Sequence, residues 1–107
     1  MKAIQVQEWG GPDVLKLREV PAPQPGAGQA VVRVHAAGVN PVDTYIHTGH
    51  YPKKPQLPYT PGSDGAGVIE SVGAGAGKKE GCRPGDRVYI SGSITGTYAE
   101  KALCRIE

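Results

Sequence analysis

The sequence predicts a single, mainly β domain over residues 1–107, a small barrel with one or two short helices. Three observations lead there. The chain holds 16 glycines and 10 prolines in 107 residues, too many interruptions for a mainly helical fold. Its apolar residues fall in short runs rich in β-branched side chains and bounded by Gly and Pro, the pattern of strands and turns. One segment alone carries helix punctuation at both ends.

Residues 1–7 mix Ala3, Ile4 and Val6 with Lys2, Gln5 and Gln7 in approximate alternation, and Gly10-Gly11-Pro12 ends that strand in a turn. Val14, Leu15, Leu17 and Val20 predict a second short strand. Pro21, Pro23 and Pro25 then force an extended connector. Residues 29–37, with Val31, Val32 and Val34 among polar neighbours, predict a half-buried strand. Next comes the helix. Asn40 stands at the N-cap, Pro41 at the first helical position and Asp43 at the third, where a carboxylate meets free backbone N–H groups; Gly49 is the stop. Two turns are too few to stand alone, so packing must hold the helix, with Val42 and Ile46 as its expected buried edge.

Four prolines between residues 51 and 61 stiffen the following loop, and stiff loops place side chains. The glycine-rich residues 62–67 lead into a strand at 68–72, which implies close backbone packing or a bulge. Residues 73–81 read as a surface loop, Pro84-Gly85-Asp86-Arg87-Val88-Tyr89-Ile90 as a turn into a strand, and residues 98–104 as a last strand.

Composition excludes several classes of function. The net charge is only +2, and the pairs Lys53-Lys54 and Lys78-Lys79 read as solvated loops, so nucleic-acid binding is not expected. No apolar run is long enough to span a membrane, and a cytoplasmic protein is expected. Cys82 and Cys104 form no Cys-x-x-Cys or Cys/His cluster, which leaves no readable metal site. Gly73-Ala74-Gly75-Ala76-Gly77-Lys78-Lys79 lacks the Gly-Lys-Ser/Thr ending of a phosphate loop. His35 reads as a structural residue, and His47 and His50 as favourable charges at a helix C-terminus. Tyr45, Tyr51 and Tyr59 cluster between helix and proline-rich loop. Each offers a flat face for stacking and a hydroxyl for hydrogen bonding, although Tyr45 and Tyr59 can equally fill core gaps while Tyr51 stays half exposed.

The string Gly38-Val39-Asn40-Pro41-Val42-Asp43-Thr44-Tyr45-Ile46, the later Leu57-Pro58-Tyr59-Thr60-Pro61-Gly62-Ser63-Asp64-Gly65-Ala66-Gly67-Val68, and Gly85-Asp86-Arg87-Val88 resemble the medium-chain dehydrogenase/reductase superfamily. Within it the resemblance is to the quinone oxidoreductase branch that includes zeta-crystallin, and it runs over essentially the whole chain. It implies a GroES-like β-barrel, the N-terminal domain of a protein whose Rossmann domain is not in these residues. The zinc-dependent branch carries a cysteine ligand where this chain has Asn40 and a His-Glu pair where it has Ser63-Asp64. Asn and Ser bind zinc poorly, so the resemblance implies zinc-free hydride transfer from NADPH to a quinone-like acceptor.

By the same resemblance Asn40 and Tyr45 lie near the nicotinamide, Tyr51 lies near the acceptor, and Asp43 caps the helix that positions them. No side chain is assigned a catalytic acid or base role, since the cofactor carries the chemistry. Without a Rossmann half the 107 residues alone are expected to bind NADPH weakly or not at all and to be inactive. The competing expectation is a stand-alone barrel acting as a binding or structural module, which would self-associate through its exposed cleft face.

Overall fold

The computed structural model describes residues 1–76 and 82–106. Among the described residues six strands form two antiparallel sheets. Strands β1 (Lys2–Gln5) and β2 (Lys16–Glu19) pair as a ribbon, while β3 (Gln29–Ala37), β4 (Asp64–Val72), β5 (Arg87–Ser91) and β6 (Lys101–Arg105) make a four-stranded sheet in the order β5-β4-β3-β6. Single bridges, Ala3 to Ala99 and Val6 to Tyr59, tie the N-terminal segment to the loops of the larger sheet. The helix α1 (Pro41–His47) lies between β3 and β4 in sequence.

The core is the inner face of the larger sheet, where Ala30, Val32, Ile69, Ile90, Ala102 and Cys104 pack together. Each fully buried valine or isoleucine there contributes about 1.5–3 kcal/mol. Strand β3 departs from the half-buried expectation. Ala30, Val31 and Val32 are consecutive and all buried, so the first half of this central strand is covered on both faces.

Of the glycine-rich residues 62–67, Gly62 and Ser63 lead into β4 while 64–67 belong to the strand itself, and both close packing and bulges are present. Pairing runs from Val31–Ser71 to Val32–Ile69, which leaves Glu70 unpaired, and from Val34–Gly67 to Ala36–Ala66, which leaves His35 out. A side chain at position 67 would run into the Arg33 carbonyl, so the close approach of β3 and β4 requires glycine there. His35 is exposed at its bulge, not an internally satisfied structural residue.

Other expectations change at element ends. Val14, expected to open the second strand, instead closes a 3-10 turn over Pro12–Val14, because the turn begun at Pro12 runs through it, and strand begins only at Lys16. Tyr98 and Ala99 precede the last strand instead of opening it. The loop at 73–81 starts tied down: the Gly73 N–H donates to the Gln29 carbonyl and the Gly28 N–H to the Ala74 carbonyl, at 2.9 Å each. Lys78 and Lys79, and with them the end of the glycine-rich string, lie outside the described residues. Among the described residues no helix is long and apolar enough to cross a membrane.

Candidate functional site

The site is built around α1. Asn40 is its N-cap, with extended backbone, and the Asp43 carboxylate reaches back to accept the Asn40 N–H at 2.9 Å, as the sequence spacing predicts. The buried edge of the helix is not Val42 and Ile46, which are only half-buried, but Asp43 and His47. Both are polar, and their partners explain the burial. Asp43 Oδ2 also accepts the Tyr98 hydroxyl at 3.1 Å. His47 Nδ1 lies 2.9 Å from the Gly10 carbonyl, which can only accept, so that nitrogen carries the proton; the Gly10 N–H returns a bond to the His47 carbonyl at 2.8 Å. His47 is therefore an internal clamp on the Gly10 turn, whereas His50, like His35, is exposed.

Beyond the cap, the Asn40 carboxamide donates through Nδ2 to Asp64 Oδ2 at 3.1 Å, joining the start of α1 to the start of β4. Asn40 and Asp64 are both half-buried. Among the described residues no three of His, Cys, Asp and Glu come together at metal-ligand spacing.

Below the helix runs an open cleft of about 550 Å³, walled by Val42, Ile46, Tyr51, Tyr59 and Ile94, with Asp43 and Ser63 as polar points and Lys53 and Lys54 at its mouth. Tyr51 is thus in the cleft, half-buried. Asn40 and Tyr45 are not among its lining residues. Tyr45 is 55% exposed and Val39 78% exposed, so neither fills the core. Tyr59 takes the packing role expected of it, its ring centroid 5.9 Å from that of Trp9, but its hydroxyl is buried without a partner.

Two tyrosine hydroxyls share the neighbourhood of Asp43. Tyr59 is pushed up to about 12, first by burial and then by the Asp43 charge. Tyr98 is likewise raised to about 12, by burial first, then by the charge of Asp43 and the hydrogen bond to it, with Asp64 and Tyr59 adding to the effect. Both remain neutral O–H groups at physiological pH. Burial pushes the Cys104 thiol up as well, against a smaller opposing hydrogen bond from Ser93, which makes it a core residue and not a nucleophile.

Sequence reasoning missed Tyr98 and Asp64 as parts of this constellation, since 55 and 24 residues separate them from their partners Asp43 and Asn40. Lys53 and Lys54 were expected to be merely solvated. They are exposed, but they stand at the cleft; the one signal available was their place between Pro52 and Pro55 in a stiff loop.

With this geometry in view, comparison with known proteins is direct. The chain is 56% identical over 104 residues to quinone oxidoreductases of Pongo abelii and Homo sapiens, covering 96% of this chain and 31% of each relative. A synaptic vesicle membrane protein VAT-1 homolog of Mus musculus is 41% identical over 92 residues. Among solved structures, Escherichia coli quinone oxidoreductase complexed with NADPH superposes with a TM-score of 0.87 at 33% identity, over 98% of this chain and 31% of that one. The chain thus spans about a third of the length of these quinone oxidoreductases and 22% of the VAT-1 homolog. Residues 26–106 match the family of alcohol dehydrogenase GroES-like domains, and the chain belongs to that family, within the medium-chain dehydrogenase/reductase superfamily.

Proposed function

We propose that these residues are the N-terminal domain of a cytoplasmic, zinc-free, NADPH-dependent quinone oxidoreductase. The observation that carries the reading is the 56% identity to quinone oxidoreductases along 96% of the chain. Its cofactor part is supported by similarity to relatives solved with NADPH.

The residues present suit a nicotinamide. Asn40 offers a carboxamide whose orientation is fixed by Asp64, and exposed Tyr45 and Val39 offer flat apolar contact for a ring. When bound, NADPH would supply the hydride which, with one proton, converts a quinone to its hydroquinone. The chain's own part is to orient and to exclude water: Asp43 fixes the α1 cap, Tyr51, Val42 and Ile46 give the acceptor an apolar wall, and the neutral tyrosine hydroxyls add no charge. Asn40 and Ser63, where the zinc branch has Cys and His, support chemistry without zinc.

In the full-length protein, NADPH oxidation should depend on an added quinone and persist in a chelator. No quinone dependence, or loss on chelation, would overturn the reading. The 107 residues alone should not oxidise NADPH; oxidation above a buffer blank that is lost in Tyr45→Ala would overturn that part. A second reading, a stand-alone barrel that associates with itself, is favoured by one observation. A hollow of about 1,090 Å³ on the larger sheet is lined by apolar side chains, Ile69, Val88, Ile90 and Ile106 among them. In the first reading this surface packs against the Rossmann domain; in the second, a second copy covers it. Sedimentation of the isolated chain as a clean monomer at high concentration would count against the second.

A further inference from the structure

Two exposed cations, Lys53 and Lys54, line a cleft whose wall joins apolar side chains to Asp43, Thr60, Ser63 and Ser93. Tyr51, Val42, Ile46 and Ile94 line the same opening. Among the described residues neither lysine forms an ion pair; the bridges there are Met1 with Glu19 and Lys101 with Glu70. The acid of the cleft, Asp43, is buried and engaged with the Asn40 N–H and the Tyr98 hydroxyl, so its carboxylate is no partner for them.

The two lysines are also pre-positioned. Pro52 and Pro55 bracket them, which limits the backbone freedom of the loop. The Lys54 ammonium sits 5.5 Å from the centre of the Trp9 ring, a cation–π contact that holds it without neutralising it. A planar ring lying against Val42, Ile46 and Ile94 would share the cleft with these two charges. An uncharged ring gains nothing from them, whereas one carrying a carboxylate or sulfonate does.

We infer that the cleft selects planar aromatic acceptors that carry an anionic substituent, with Lys53 and Lys54 as the specificity-determining residues. This rests on the reading of the cleft as an acceptor site. Each lysine acts across solvent, so the joint effect is of the order of fivefold to tenfold at low salt and shrinks as ionic strength rises.

The test uses the full-length protein and two planar rings that cannot accept a hydride, naphthalene-2-sulfonate and uncharged 2-naphthol, titrated by calorimetry at low salt. The wild type should bind the sulfonate about fivefold to tenfold more tightly than the naphthol. In Lys53→Gln/Lys54→Gln the preference should fall to within about twofold, and the Lys53→Arg/Lys54→Arg variant should restore it. A wild type without preference, or a double Gln variant that keeps it, overturns the inference. So does a double Gln variant that weakens NADPH binding and leaves the preference intact, which would assign the lysines to the cofactor's phosphates. Retained 2-naphthol binding shows that the variant is folded. If it is lost, the inference is tested instead by the single Lys53→Gln and Lys54→Gln variants, each of which should lose part of the preference. In parallel, the ratio of kcat/KM for 1,4-naphthoquinone-2-sulfonate to that for 1,4-naphthoquinone should fall in the double Gln variant relative to wild type, a comparison that cancels the intrinsic reactivity of the two quinones. If neither quinone is reduced by wild type while the binding preference is present, it is the oxidoreductase reading that fails, not the charge selection.

Discussion

The Tyr98 hydroxyl donates to Asp43 Oδ2 at 3.1 Å, joining the approach to β6 to the first turn of α1 across 55 residues. The same oxygen accepts the Asn40 N–H at 2.9 Å, so one buried carboxylate holds both the helix cap and its docking. Removing it should be costly. Asp43→Ala leaves the cap N–H and a partly buried hydroxyl without their acceptor, for a loss of about 2–3 kcal/mol. Denaturant unfolding measures this directly, and a loss under about 0.5 kcal/mol would show that water replaces the carboxylate.

Alkaline stability follows from the two tyrosines. Tyr59 and Tyr98 are raised from 10.0 to about 12, so each holds its proton more tightly in the folded chain than in the unfolded one. Their contribution is whole below pH 10 and is lost as pH rises through 12. The Tyr98→Phe variant should therefore lose less stability than wild type across that window. Urea denaturation on either side of it compares the two slopes, and parallel curves would remove Tyr98 as a source.

His47 should prove structural rather than catalytic. His47→Leu keeps bulk but strands the buried Gly10 carbonyl, at about 1–3 kcal/mol. The expected signature is a lowered Tm with unchanged KM for both substrates in the full-length protein. A large fall in kcat at intact stability would assign the imidazole a role in the reaction.

Tyr45 should behave in the opposite way. It is 55% exposed on α1 and is not part of the buried core. Tyr45→Ala is expected to change stability by under about 0.5 kcal/mol and to weaken NADPH binding in the full-length protein by about fivefold. Calorimetric titration of NADPH reads the second effect, and equal affinities would take Tyr45 out of the cofactor site.

Gly62 lines the cleft at a backbone φ of +103°, and a side chain there would run into Thr97. Gly62→Ala should cost roughly 3 kcal/mol from strain and overpacking together. Thermal unfolding tests it, a near-neutral change meaning that the β4 approach can shift.

The local features of the fold were legible in the sequence because they rest on local chemistry. Asn40, Pro41 and Asp43 specify a helix start by their spacing alone, and the valines of β3 mark a strand. The buried edge of α1 was not legible. Periodicity favours Val42 and Ile46, yet Asp43 and His47 are buried, because Tyr98, Asn40 and the Gly10 carbonyl supply the hydrogen bonds that make burial of polar groups affordable. Tyr98 and Gly10 come from distant segments, and no local pattern announces them.

The sequence by itself determined the mainly β class and the capped helix, since each is decided by neighbours within a few positions. Only the tertiary structure decided which tyrosines face the cleft, which carboxylate links helix to sheet, and that Lys53 and Lys54 stand at the cleft mouth rather than in featureless solvent. Long-range contacts set burial and electrostatic surroundings, and those are properties of the folded chain that residue order encodes without displaying.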